Sequence, residues 1–278
     1  MSQKGSTTTR REFVKRAGAA VAGATLLLGP GTLSAHAASR QDARQRHPSG
    51  AGTNILLVHG AFVDASSWSK VIPLLQAAGF HVLAVQNPNT SLEDDIAVTS
   101  QALASLSGPT LLVGHSYGGT VITNVGLTAS VTGLVYIAAF APDAGESALS
   151  ISTQYPAPAG QHLVPSYRSG FIWLDPPDFP QLFIQDVSLA QGRALAAVQK
   201  PLAPECFGAP SGPPNWKTLP SWYLVSSQDQ VISPTAERFM AGRMKATTRE
   251  IDSSHASPVS HPLAVFDRIV AASQGSHQ

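Results

Sequence analysis

The sequence predicts an α/β fold in which a mostly parallel sheet carries helices on both faces and a cap insertion covers one edge. Three observations predict it. Short apolar runs of strand composition alternate with segments of helical spacing. That alternation fails once, across a proline-rich stretch, and then resumes. At 278 residues and 43% apolar content, the chain can also bury one sizeable core. Strands alternating with helices imply crossover connections, and so parallel pairing buried on both faces.

Residues 1–37 differ in kind from the rest. Thr9, Arg10, Arg11, Glu12, Phe13, Val14 and Lys15 spell a twin-arginine export signal, Ala17 to Leu28 form a small apolar segment, and Ala35, His36 and Ala37 supply an A-x-A cleavage site. About twelve apolar residues are too few for a bilayer that needs about twenty. The expectation is a periplasmic or extracellular protein delivered by the twin-arginine export machinery, with no stable membrane anchor. Residues 38–52, with Arg40, Arg44 and Arg46, read as a flexible linker, and residues 53–278 as the folded domain.

Asn54 to Val58 reads as a buried strand running into a loop at His59 and Gly60. Trp68, Val71, Ile72 and Leu75 then recur at helical spacing until Gly79, although Pro73 must kink that helix or move its start. His81 to Val85 is the next strand. Ser91, Leu92, Glu93 and Asp94 look like a helix start with acids in the first turn, and Ile96, Thr99, Leu103 and Leu106 carry the helix to Gly108. Thr110 to Thr120 reads TLLVGHSYGGT, a strand run from Leu111 to Val113 followed by a helical segment, Val121 to Leu127. A third long apolar run spans Val131 to Phe140. Residues 143–220 break the rhythm with prolines such as Pro176, Pro177, Pro213 and Pro214, and show one helical patch near Leu189 to Val198. Eighty residues with so few strong patterns would bury a thin core alone, so they read as a cap. The rhythm returns with a strand at Trp222 to Val225, a helix at Pro234 to Met244, a strand at Thr247 to Ile251 and a closing helix at Pro262 to Ser273.

The glycines around Ser116 spell G-x-S-x-G between a strand and a helix, which is the context of a nucleophile elbow. A serine hydroxyl needs a base within hydrogen-bond reach and an acid to hold that base. Asp229, in SSQDQVISP, and His255, in DSSHASP, each follow a late strand and stand in the order serine, acid, histidine. Asp143, after the strand ending at Phe140, is the rival acid. Asp252 reads as a turn residue, His261 as a helix cap, His162 as a surface or substrate-facing residue, and His115 as packed away from the serine by strand alternation. An oxyanion hole needs two donors. Tyr117 N–H supplies one, and HGAF offers Ala61 or, as the alternative, Phe62 for the other, with His59 as a structural hydrogen-bonder.

LLVHGAFVDASSW, GHSYGG, SSQDQVISP and DSSHASP together resemble the α/β-hydrolase superfamily across nearly all of residues 53–278. Within it they resemble the small cap-bearing serine esterases, a group that takes in plant methylesterases, hydroxynitrile lyases and pyrethroid hydrolases. The resemblance implies a triad of Ser116, Asp229 and His255, an oxyanion hole at Ala61 and Tyr117, and hydrolysis of small to medium carboxylic esters without cofactor or metal. Lactone or amide hydrolysis, haloperoxidase-like perhydrolysis and slow-turnover ligand binding are the alternatives on the same scaffold. Lyases of this group carry threonine after the first-motif histidine and lysine after the triad histidine. Here Gly60 and Ala256 stand in those places.

Composition narrows the partners. Without residues 1–37 the chain keeps thirteen of eighteen basic residues against sixteen of seventeen acids, a net charge of about −3, so nucleic acid loses its electrostatic attraction. The single cysteine, Cys206, excludes an internal disulfide. No HExxH or clustered Cys and His ligands suggest a metal. Phe171, Trp173, Phe179 and Phe183 are candidates to line an apolar pocket or to pack the cap onto the sheet.

Overall fold

Side chains on a strand alternate between faces, and here that alternation divides the apolar residues into two layers. The computed structural model describes residues 52–158 and 162–275, so the expected export signal and nearly all of the linker lie outside the described residues. Strands β1 (Asn54–Val58), β2 (His81–Val85), β3 (Thr110–His115), β4 (Val131–Ile137), β7 (Ser221–Ser226) and β8 (Thr247–Ile251) form one sheet in the order β2-β1-β3-β4-β7-β8. Every pairing in it is parallel. Leu56, Val58, Leu112, Leu134, Tyr136, Tyr223 and Val225 face one core. Ile55, Leu57, Leu111, Val113, Val135, Ile137 and Leu224 face the other.

The helices follow from local sequence. α1 (Ile72–Ala77) begins one residue before Pro73, whose missing N–H falls where no intrahelical bond is due, so the proline moves the start instead of kinking the helix. Trp68 sits in a preceding 3-10 turn, Ala65–Trp68, capped by Asp64 accepting the Ser66 N–H. α2 (Leu92–Ala104) is capped by the Ser91 hydroxyl on Asp94 N–H. α3 (Tyr117–Asn124) starts four residues earlier than its apolar spacing predicts, because the helix grows directly from the turn at Ser116. α6 (Pro234–Arg243) and α7 (Pro262–Gly275) close the fold, with Val265, Ile269 and Ala272 of α7 packed in the second core.

The insertion holds more order than its prolines suggest. α4 (Ala148–Gln154) is secured by a reciprocal cap between Ser147 and Ser150. β5 (Leu163–Pro165) and β6 (Ile172–Leu174) form an antiparallel hairpin, and α5 (Leu189–Ala197) matches the one helical patch seen in the sequence. The insertion is tied to the sheet domain by backbone bonds, Lys200 N–H to Phe62 O and Ala203 N–H to Asn89 O, and by Trp216 Nε1–H to Pro142 O.

The strand order reverses between β1 and β3, since the chain runs outward from β1 to β2 and then crosses back. In open α/β sheets the crevice at the carboxyl ends of such a pair is where ligands bind. The loops after β1, β3, β7 and β8 carry Gly60, Ser116, Asp229 and His255.

Candidate active site

Ser116 occupies the turn from β3 to α3 with φ 54° and ψ −125°. A left-handed φ at a residue with a Cβ costs about 1–3 kcal/mol, and the surrounding bonds must impose it. Ser116 N–H donates to Ile137 O at 3.2 Å, while its carbonyl accepts from Gly119 N–H at 3.0 Å and Phe140 N–H at 3.1 Å. The flanking glycines are required by contact. A Cβ on Gly114 would lie 2.6 Å from the Gly118 oxygen, and one on Gly118 would overlap the Val58 and His59 oxygens. Any side chain there would force the elbow away from the sheet.

The structure brings the three candidate triad residues together. His255 Nε2 lies 2.8 Å from Ser116 Oγ, and His255 Nδ1 lies 2.5 Å from Asp229 Oδ2. Asp229 Oδ1 accepts the N–H groups of Val231 and Ile232 at 2.7 and 2.8 Å, which fixes the carboxylate. A carboxylate on Nδ1 places the ring proton there, so Nε2 meets the serine as an acceptor. Asp229 and His255 are fully buried.

Several contacts that hold the histidine were not visible in the sequence. Ala256 N–H donates to Phe183 O at 3.1 Å, Ser254 N–H donates to Asp186 Oδ2 at 2.8 Å, and the Phe183 ring meets the His255 ring edge-on at 4.9 Å. All three come from the cap. From within the sheet domain, His115 Nε2–H donates to the His255 carbonyl at 2.9 Å. Burial, and next the neighbouring His255, push the His115 imidazole down to about 3, so it stays neutral.

The oxyanion candidates gather beside the serine. Tyr117 N–H is the first amide of α3, where no intrahelical acceptor exists. Ala61 and Phe62 both line the cavity that Ser116 opens into. Gly60 is pressed so close that a Cβ would lie 2.7 Å from Ser116 Cβ. His59 Nδ1–H donates to the Gly60 carbonyl at 2.8 Å, and its Nε2 accepts Asn87 N–H at 3.1 Å. Holding that carbonyl orients the peptide whose N–H belongs to Ala61. Burial pushes His59 down to about 4, consistent with a neutral ring that both donates and accepts. Tyr117 is anchored by its hydroxyl, which donates to Asp95 Oδ2 at 2.9 Å.

Asp143, Asp252, His261 and His162 lie outside the triad. Asp143 pairs with Lys217 at 2.5 Å. Asp252 is exposed and accepts from the Ser227 hydroxyl at 3.4 Å. His261 caps α7 through its carbonyl, which accepts Val265 N–H at 3.2 Å. His162 pairs with Asp178 at 2.8 Å on the rim of the cavity. Of Phe171, Trp173, Phe179 and Phe183, only Phe183 lines that cavity, with Phe179 stacked behind it at 4.7 Å, and the cap adds Phe207 to the lining. Phe171 packs under Arg168 and Trp173 against Tyr167.

The cavity measures about 170 Å³, and its walls are largely apolar, with Phe140, Leu149, Leu163, Ile172, Leu174 and Phe207 among them. Among the described residues, no group of three or more His, Cys, Asp or Glu side chains could hold a metal ion. Burial raises the Cys206 thiol to about 12, so it stays protonated.

Comparison with known proteins agrees with this fold. Residues 55–268 match the alpha/beta hydrolase family. A carbendazim hydrolyzing esterase of Nocardioides sp. is 33% identical over 112 residues, covering 35% of this chain and 46% of that protein, so the chain spans under half of that relative. Methylesterase 1 of Arabidopsis thaliana is 26% identical over 225 residues, covering 67% of this chain and 82% of that protein. A pyrethroid hydrolase of Sphingobium faniae has a similar fold, with a TM-score of 0.67 at 20% identity, covering 80% of this chain and 97% of that one. With the match spanning the sheet, the elbow at Ser116 and the loops of Asp229 and His255, the chain belongs to the alpha/beta hydrolase family.

Proposed function

We propose that the protein is a serine hydrolase that cleaves small to medium carboxylic esters through an acyl-enzyme on Ser116. The observation that carries this is the Ser116 Oγ to His255 Nε2 contact of 2.8 Å, opening onto an apolar cavity. As Oγ attacks the ester carbonyl carbon, its proton passes to His255 Nε2, and Asp229 keeps the imidazolium oriented. The amides of Ala61 and Tyr117 receive the oxyanion. Ala61 is the first choice because its N–H belongs to the peptide that His59 orients through the Gly60 carbonyl, with Phe62 as the alternative. The intermediate collapses, His255 returns the proton to the leaving alkoxide, and the alcohol departs. Water, deprotonated by His255, then attacks the acyl carbon, and the acid leaves with Ser116 restored.

The cavity limits the substrate. A dry cavity of about 150 Å³ admits benzene, so about 170 Å³ suits one ring or a short branched chain. Esterase names among the relatives support the reaction type. Gly60 and Ala256 support hydrolysis over cyanohydrin cleavage, since a side chain at Gly60 would press on Ser116 and Ala256 is buried without charge. Ser116→Ala is expected to abolish turnover of p-nitrophenyl esters with the thermal transition unchanged; undiminished turnover contradicts the assignment. The same reading has the enzyme exported by the twin-arginine route. Replacing both Arg10 and Arg11 by Lys should retain it inside the producing cell, and unchanged export would remove that part of the proposal.

A further inference from the structure

Behind the triad acid lies a second carboxyl group that the mechanism above does not use. Glu237, in the first turn of α6, is fully buried. Its Oε2 accepts Ser226 N–H at 3.1 Å, and its Oε1 is buried with no acceptor or donor assigned among the described residues. Asp229 N–H donates to the carbonyl of the same Ser226 at 3.2 Å, and Asp229 is also fully buried, so the two carboxyl groups share one buried pocket at the end of β7. Among the described residues no cation bonds to either carboxyl group except His255. The adjacent Arg238 points outward, where it holds Glu250 with two bonds of 2.9 and 2.7 Å. The other titratable groups facing this pocket are His255, bound to Asp229, and the hydroxyl of Tyr223, which donates to Ala139 O and stacks on Tyr136.

Two carboxylates in one dry pocket cannot both stay ionised, so one of them holds a proton. The donor count says which. Asp229 accepts three N–H groups, from Val231, Ile232 and His255, whereas Glu237 accepts only one. Hydrogen bonds to a carboxylate favour its charged form.

We propose that Glu237 is a neutral carboxylic acid whose Oε1–H donates to the Asp229 carboxylate, making it a positioning residue for the triad. This rests on Asp229 being the triad acid. Burial first, and then the charge of Asp229, push the Glu237 carboxyl well above the ordinary carboxylate range. The added donor locks the Asp229 side chain and disperses its charge, so that Asp229 orients His255 without capturing its proton.

The test compares two substitutions. Glu237→Gln keeps a neutral donor of the same shape and should leave kcat and KM within about threefold of the parent. Glu237→Leu removes the donor and should lower kcat about tenfold or more with KM within about twofold, and should move the acidic limb of the kcat/KM profile to higher pH. A merely structural side chain would lower stability and leave that limb in place. A Gln variant as impaired as the Leu variant overturns the proposal, as does an unmoved limb in the Leu variant. If Glu237→Leu does not fold, infrared spectroscopy decides. At pH 8 the unaltered protein should show the carbonyl stretch of a protonated carboxylic acid, lost in Glu237→Gln, and a spectrum without that band overturns the proposal. The band does not depend on Ser116 turning over any ester, so its presence in an inactive protein would count against the function alone.

Discussion

Acid should destabilise this protein through a histidine that performs no chemistry. His115 is 1% exposed, has Trp68 and Phe183 edge-on against its ring, and spends its only N–H on the His255 carbonyl. Its Nδ1 has no partner among the described residues. Burial holds it at about 3 in the fold against 6.5 when free. Because the folded value is the lower, the unfolded chain binds more protons at every pH between these limits. Stability is therefore complete above pH 6.5 and drains away as pH falls toward 3. Integrating the two titrations from pH 7.5 to pH 4.5 gives a loss of about 3 kcal/mol from this residue alone. His115→Gln can still donate to the His255 carbonyl and does not titrate. Urea denaturation of both proteins at the two pH values checks this. The drop in unfolding free energy should be about 3 kcal/mol smaller in the variant, which is about 1 M urea in the midpoint. His59, held at about 4 by burial, contributes the same slope to both proteins and cancels. Equal slopes in the two proteins would refute the reasoning.

Two further outcomes follow from close packing and from a second buried acid. Gly118→Ala drives a Cβ into the backbone oxygens of Val58 and His59, neither of which can retreat without breaking β1, and should cost about 3 kcal/mol or more, or about 6–12 °C in Tm. Gly126→Ala meets nothing within 4 Å and should change Tm little, so scanning calorimetry of the pair separates clash from composition. Asp95, raised to about 6 chiefly by burial, works opposite to His115: its folded value exceeds its free value of 3.8, so stability is lost as pH rises between them. Relative to the unaltered protein, Asp95→Asn should therefore gain about 2 kcal/mol between pH 4 and pH 7, and no gain would show that Asp95 is ionised in the fold without penalty.

The parts of the fold legible in the sequence were those with a local cause. The inner sheet strands are legible as apolar runs because a parallel sheet buries both their faces, whereas the exposed edge strand β8, TTREI, is legible only from the returning strand–helix rhythm, and Gly114, Gly118 and Gly119 mark a turn that only glycine can close. Chain order and position after a late strand point to Asp229 and His255, which emerge from adjacent strand ends, but leave Asp143 as a rival acid that only the geometry removes. The cap was another matter. Its prolines hid α4 and the β5–β6 hairpin, whose stability comes from a side-chain cap and from packing onto the sheet domain. The grip of Phe183 and Asp186 on the His255 loop joins residues about 70 apart, and no local pattern records it. His115 was legible as packed, but its bond to the His255 carbonyl depends on how β8 and its loop lie against β3. Glu237 looks in sequence like an ordinary acid in the first turn of a helix. Its burial depends on α6 packing against the end of β7, where it accepts Ser226 N–H, and no local pattern records that.

The claim on which the rest depends is that one hydroxyl in this chain is activated to attack an acyl or phosphoryl centre. Treatment with diethyl p-nitrophenyl phosphate, followed by intact-protein and peptide mass spectrometry, tests it most directly. One diethylphosphoryl group per chain is expected, on the peptide carrying Ser116, accumulating in step with loss of ester hydrolysis and absent from His255→Ala. A protein that loses no activity and gains no adduct, or that is modified only away from Ser116, would contradict it.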